Sequence, residues 1–293
     1  MSNHIFWLSS YPKSGNTLMR LILSALFFSK DGLVNLDLIK YISNYESTRN
    51  LNFIKDKNYD DFTQLNKLEI LSKYYLNSQS KQNLGLNEDF GFFKTHSANL
   101  KIFNNNFTLE NNVRGLIYII RDPRDIIISW SNYANVSIKE SIKFITNQNA
   151  CINWHNSENS FLDKKIIPQV FLSKWDTHVI SWIDKFEKKP KLILKYEDII
   201  EKKKEIILKI INFFESNYKI KFINIENKLN NIIETTTIHN LKKEEINKSS
   251  EKNLLNPFFR KGKSKQWKNI LTNEQSEIIC EKFKKVMEMF DYI

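Results

Sequence analysis

Cysteine is nearly missing from this chain: Cys151 and Cys280 are the only two among 293 residues. Two thiols so far apart exclude a disulfide framework and a cysteine zinc site, and they suit a reducing cytoplasm. Glycine and proline are scarce as well, at 6 and 5. No linker or internal repeat stands out, so the chain reads as one domain over residues 1–293. No signal-peptide pattern is present. The apolar stretch from Leu18 to Phe28 is too short to span a bilayer and contains Arg20 and Ser24. It reads as a buried helix, and no transmembrane segment is expected. No cluster of ligand-type residues has metal-site spacing, so no metal is expected. Helix-turn-helix, zinc-finger and RNP signatures are absent too. The formal charge of +11 is spread along the chain, as at Lys188-Lys189, Lys202-Lys203-Lys204 and Lys242-Lys243. Nucleic acid therefore ranks second as a ligand, since a positive field steers any anionic partner.

What remains is globular, with 41% hydrophobic and 13% aromatic residues. Apolar runs over 4–9, 91–95, 115–120 and 191–195 read as strands. Helical patterns cover 17–29, 62–78, 123–134, 174–187, 202–215 and 272–290. In the last, Ile278, Phe283, Val286, Met289 and Phe290 form an approximate stripe. The alternation predicts an α/β fold: a single domain with a central parallel sheet flanked by helices. Residues 31–60, 79–90 and 135–172 lack a clear period and read as loops and short helices.

Three segments carry chemistry. The first is Tyr11-Pro12-Lys13-Ser14-Gly15-Asn16-Thr17, between an apolar run and a helical pattern. Strand, tight loop and helix in that order aim backbone N–H groups and a helix N-terminus at one point. Lys13 adds a charge, Gly15 permits close approach, and Ser14 and Thr17 add hydroxyls. Such a loop holds a phosphate, although the Walker spacing GxxxxGK[ST] is absent. The alternative is an ordinary strand–turn–helix corner. The second segment is Arg121-Asp122-Pro123-Arg124-Asp125, after the run ending at Ile120. Asp122 suits an N-cap, Pro123 the first helical position, and Asp125 a capping-box partner. Arg121 is then free to fork onto a phosphate, or else pairs with a local Asp. Ser129 lies two turns further on. The third is a basic loop, Phe258-Phe259-Arg260-Lys261-Gly262 through Trp267-Lys268-Asn269, which could equally be a solvated surface.

Together, in this order and over residues 11–269, the segments resemble the sulfotransferase family that uses 3′-phosphoadenosine-5′-phosphosulfate (PAPS). The first is similar to its P-loop-like phosphosulfate loop, YPKSGTTW, with Asn16 and Leu18 in place of Thr and Trp. Arg121 and Ser129 resemble its 3′-phosphate pair, and Arg260-Lys261-Gly262 its RKGxxGDWKN loop. The resemblance implies PAPS as co-substrate and 3′-phosphoadenosine-5′-phosphate (PAP) as product. It implies donor contacts from Lys13, Ser14, Gly15, Asn16, Thr17, Arg121, Ser129, Arg260, Lys261 and Gly262. Tyr196, in a segment similar to LxYED, and Thr236, in one similar to TSFxxM with Ile238 for the aromatic, would add nucleotide contacts. The early position of the loop suggests a bacterial or otherwise divergent cytosolic-type member.

Sulfuryl transfer needs in-line positioning, a base for the attacking hydroxyl or amine, and charge stabilisation on the leaving side. His96, in Phe92-Phe93-Lys94-Thr95-His96, resembles the family's KTH segment and is the candidate base. Lys13 would donate to the leaving oxygen, Lys94 would share the developing charge, and Ser129 would restrain Lys13. Trp154 and His155 are candidates for the acceptor region. Lys268, Thr272 and Glu277 fit a KxxxTVxxxE dimer motif with Asn273 for Val, so a homodimer is an open expectation. Residues 31–60 and 135–172 are expected to form a partly mobile lid over a polar small-molecule, glycan or lipid acceptor. Two other readings stay open: a nucleotide kinase of related architecture, and a non-catalytic nucleotide- or polyanion-binding protein.

Overall fold

Four of the apolar runs become neighbouring strands of one sheet. They are Ile5–Ser10 (β1), Gly91–Thr95 (β3), Val113–Ile120 (β4) and Lys191–Lys195 (β5); Ser43–Asn44 (β2) adds an edge. The order is β2-β3-β1-β4-β5, and the sheet is parallel. In the β1–β3 register Ile5 faces Gly91 and Ser9 faces Thr95. Every residue of β1 is buried, as expected of a parallel strand covered on both faces. The structure, a computed structural model, describes residues 3–153, 168–248 and 258–293.

Two compact units divide the chain. The first comprises Met1–Tyr11, Ser43–Tyr118 and Lys143–Lys191. Its core is aromatic: the Trp7 ring meets Tyr45 at 5.0 Å, Phe107 at 5.5 Å and Trp182 at 5.9 Å. Helix α3 (Trp175–Ile183) packs there with Trp175, His178, Val179 and Trp182 buried. The second unit comprises Pro12–Ile42, Ile119–Ile142 and Leu192–Ile293. It holds α1 (Asn16–Phe28), α2 (Pro123–Ala134), α4 (Tyr196–Glu201), α5 (Lys203–Tyr218), α6 (Ile225–Thr235), α7 (Ile238–Lys248) and α8 (Asn273–Met289).

Several expectations need revision. The helix expected over 62–78 is three short pieces, Tyr59–Thr63, Leu68–Ser72 and Tyr75–Ser78. Asn58 caps the first, and Thr63 Oγ1 and Gln64 Nε2 donate back to Asp60 O as it ends. Such local side-chain bonds compete with helix continuation. Helices α6 and α7 were not foreseen. In α8 the buried stripe is Ile279, Phe283, Val286 and Met287, while Met289 is exposed. Non-helical backbone at Phe283 (φ −116°, ψ 16°) shifts the phase midway. Residues 31–60 form β2 and short helical pieces, as expected of a segment without a clear period, and bury Leu38, Ile42, Tyr45, Leu51 and Ile54. Trp154 and His155 lie outside the described residues.

Candidate functional site

The first segment is built on two left-handed residues. Lys13 has φ 69°, uncommon for a residue with a side chain, and Gly15 has φ 93°. A Cβ on Gly15 would lie 2.4 Å from Tyr196 Cδ2, so glycine is required twice over. Helix α1 starts directly afterwards, with no capping side chain and no acidic residue in its first turn. Ser14 Oγ is buried without a hydrogen-bond partner among the described residues. An uncapped helix start beside an orphaned hydroxyl suits an anion.

Arg121 follows β4 and is buried. Its Nη1 donates to Lys13 O at 2.8 Å, its Nη2 lies 3.8 Å from Asp125 Oδ2, and its guanidinium sits 4.2 Å over the Tyr196 ring. Pairing with a local Asp is thus present, but Arg121 Nε has no hydrogen-bond partner among the described residues. The capping expectation holds in part. Asp122 accepts from Arg124 N, yet Asp122 N donates to Glu197 Oε1 rather than to Asp125. Asp125 instead accepts from Trp267 N at 3.0 Å and so anchors the basic loop. That loop is docked at its other end too, where Glu245 accepts from the backbone N–H groups of Phe258 and Phe259.

A cavity of about 300 Å³ brings these parts together within the second unit. Lys13, Gly15, Arg121 and Ser129 line it, as do Tyr196, Thr236, Arg260, Lys261 and Gly262. Ser14, Asn16 and Thr17 belong to the same loop but do not line it. Lys94 and His96 lie in the first unit, at and just beyond the end of β3. Lys94 Nζ donates to Asn44 Oδ1 at 3.2 Å, and His96 Nδ1 lies 2.6 Å from Ser10 O. A carbonyl can only accept, so Nδ1 carries the proton and Nε2 keeps its lone pair in the neutral ring.

The electrostatics of the cavity are those of crowded cations. The Lys13 ammonium lies 4.1 Å over the Tyr133 ring and 4.7 Å over the Phe258 ring. Burial, then Arg121 and Arg260, push its pKa down to about 8, with Glu245 opposing them. Arg260 is itself lowered by burial and by Arg121. No motif singles out Lys203, which also lines the cavity. Its Nζ donates to Thr236 O at 2.7 Å, and burial lowers its pKa to about 8. It was hidden in a lysine run that reads as solvated. Phe258 and Phe259 supply aromatic walls, while Leu18 and Ile238 line the cavity at two of the positions that depart from the family motifs.

The sequence profile of the Sulfotransferase domain matches residues 4–291. The chain belongs to the sulfotransferase family. A rabbit (Oryctolagus cuniculus) amine sulfotransferase is 25% identical over 193 residues, covering 62% of this chain and 58% of that protein. Sulfotransferase 2A1 of Macaca fascicularis is 28% identical over 180 residues, covering 59% and 56%. The alignments therefore span little more than half the length of these curated relatives. A mouse sulfotransferase complexed with PAP has a TM-score of 0.59 at 18% identity, covering 98% of this chain and 84% of that one. Retinol dehydratase in complex with androsterone and the inactive cofactor PAP gives 0.59 at 17%, covering 98% and 81%. At these identities the structural likeness shows the fold. This sulfotransferase-family chain has no described helix long and apolar enough to cross a membrane.

Proposed function

We propose that this protein transfers the sulfuryl group of PAPS to a hydroxyl or amine of a small-molecule, glycan or lipid acceptor. One observation carries the reading: Lys13, Arg121 and Arg260 converge on one cavity, at the end of an uncapped helix, in a chain of the sulfotransferase family. Cations crowded into one cavity attract anions, and a donor with phosphates at both ends of a nucleoside supplies them. The orphaned Ser14 Oγ and Arg121 Nε fit such a ligand, because each is a buried polar atom awaiting a partner. The cavity's apolar walls suit a base.

Lys13, Ser14, Gly15, Asn16 and Thr17 hold the 5′ end in this reading. Arg121, Ser129, Arg260, Lys261 and Gly262 hold the 3′-phosphate, and Tyr196 and Thr236 flank the base. Lys13 donates to the oxygen that leaves sulfur, with Lys94 sharing the charge. His96 Nε2 accepts the proton of the attacking group. The whole chain acts as one sulfotransferase domain in the cytoplasm, with no nucleic acid as ligand. A homodimer through the exposed Lys268, Thr272 and Glu277 is compatible with it, although Thr272 already serves to cap α8. The test is incubation with sulfur-labelled PAPS and a cell extract, followed by mass identification of labelled products. A labelled metabolite that requires Lys13 is expected; labelled sulfate alone would overturn the transfer reading.

A further inference from the structure

The first unit contains a buried polar chain that the proposed chemistry leaves unused. His178 on α3 is wholly buried. Its Nε2 lies 2.9 Å from His96 O, and a carbonyl accepts, so Nε2 carries the proton. Nδ1 therefore keeps its lone pair and accepts from Tyr118 Oη–H at 2.8 Å. The Tyr11 ring meets the His178 imidazole edge-on at 5.4 Å and encloses it.

The Ser10 carbonyl accepts from His96 Nδ1 at 2.6 Å, with Ser10 Oγ 3.4 Å from the same nitrogen. The His96 ring is thus held through Nδ1, and its backbone carbonyl is held by His178, itself held by Tyr118. The Ser10 carbonyl can only accept, so it selects the Nδ1-protonated tautomer of His96. Burial keeps His178 neutral, with its pKa lowered to about 4.

We propose that Tyr118 and His178 are positioning residues that hold His96 with Nδ1 protonated and Nε2 presented as the proton acceptor. This rests on the reading of His96 as base. The proton balance is simple: His96 Nε2 gains the acceptor's proton, Nδ1–H stays on Ser10 O, and neither Tyr118 nor His178 exchanges a proton.

The test compares Tyr118→Phe, His178→Gln, His178→Leu and His96→Ala in the full chain. Transfer from labelled PAPS is measured with a cell extract as acceptor source, PAP affinity by calorimetry, and the His96 tautomer by side-chain nitrogen NMR. Tyr118→Phe and His178→Leu are expected to lower transfer by roughly tenfold or more, part of the ~10²–10⁴ of a positioned base. Their PAP Kd should stay within about threefold of the parent, a change of under ~1 kcal/mol. Their His96 signals should show mixed tautomers. His178→Gln, whose amide N–H can still reach His96 O, should recover most of the transfer. Full transfer in Tyr118→Phe alongside an inactive His96→Ala would overturn the positioning role alone. So would a His178→Gln as poor as His178→Leu, or losses of transfer matched by equal losses of PAP affinity. Full transfer in His96→Ala would instead overturn the base reading, and the positioning role with it.

Discussion

Gly15 and His178 show how single residues differ in legibility. Gly15 stood out in the sequence because a tight loop before a helix asks for it, and the structure adds a second reason in Tyr196. Gly15→Ala should force Tyr196 off Arg121 and strain the backbone, costing about 1–3 kcal/mol. Urea denaturation would read the stability loss, and PAP titration the accompanying loss of affinity. His178 lies in no motif of the sequence and sits among buried Trp175, Val179 and Trp182, where a histidine reads as packing. Its partners, Tyr118 and the His96 carbonyl, come from distant parts of the chain, and no local pattern records them. Its pKa falls from 6.5 to about 4 on folding because burial disfavours the charged form. Between those values the unfolded chain binds the extra proton, so stability rises with pH across that window and is lost on acidification. The shift corresponds to something on the order of 3 kcal/mol. Replacing His178 with Gln should flatten that part of the stability–pH curve; an unchanged slope would remove His178 as its source.

Elements end where the chemistry begins, and Arg121 at the end of β4 is the example. The apolar run Gly115 to Ile120 and the Asp122-Pro123 start of α2 were readable because local rules govern them. The hydrogen bond from Arg121 to Lys13 O joins two segments 108 residues apart and could not be read. It gives Arg121 two tasks, bracing the first loop and meeting a phosphate. Arg121→Ala should therefore weaken every nucleotide somewhat, and PAP by a further ~1.5–3 kcal/mol for the lost charge-assisted contact. Calorimetry with PAP and with adenosine 5′-phosphate separates the two tasks; equal losses would take Arg121 out of the 3′-phosphate site. The kink at Phe283 shows the opposite case, where a sound periodicity in α8 gave the wrong stripe because the helix is not continuous. Asp125 is similar. Its spacing suggested a helix cap, but a backbone N–H from the distant Trp267 takes its carboxylate.

At the scale of the whole molecule, the charge of +11 is less informative than where a few cations are buried. Most of the lysines are exposed, whereas Lys13 and Lys203 both face one cavity and both titrate near 8. Their folded pKa lies below the ordinary 10.5, so between about 8 and 10.5 the unfolded chain binds more protons. The ligand-free protein should gain stability across that range as pH rises. Nucleotide affinity should move the other way, because a phosphate needs the charged ammonium: PAP should bind more weakly as pH passes 8. Affinity that is flat from pH 7 to pH 9.5 would show that neither lysine meets the ligand's charge. The sheet was largely legible because parallel strands buried on both faces write themselves as apolar runs. The acceptor was not, since residues 31–60 and 135–172 have no period to read.

A cavity built around Lys13, Arg121 and Arg260 for a nucleotide carrying a 3′-phosphate should distinguish PAP from other anions. Calorimetric titration of the metal-free protein with PAP, beside ATP and a single-stranded oligonucleotide, is the decisive measurement. PAP should bind tightly without metal, at least tenfold more strongly than ATP (about 1.4 kcal/mol), and the oligonucleotide weakly and with strong salt sensitivity. Binding of ATP as tight as PAP, or of the oligonucleotide tighter than both, would contradict a 3′-phosphate site there.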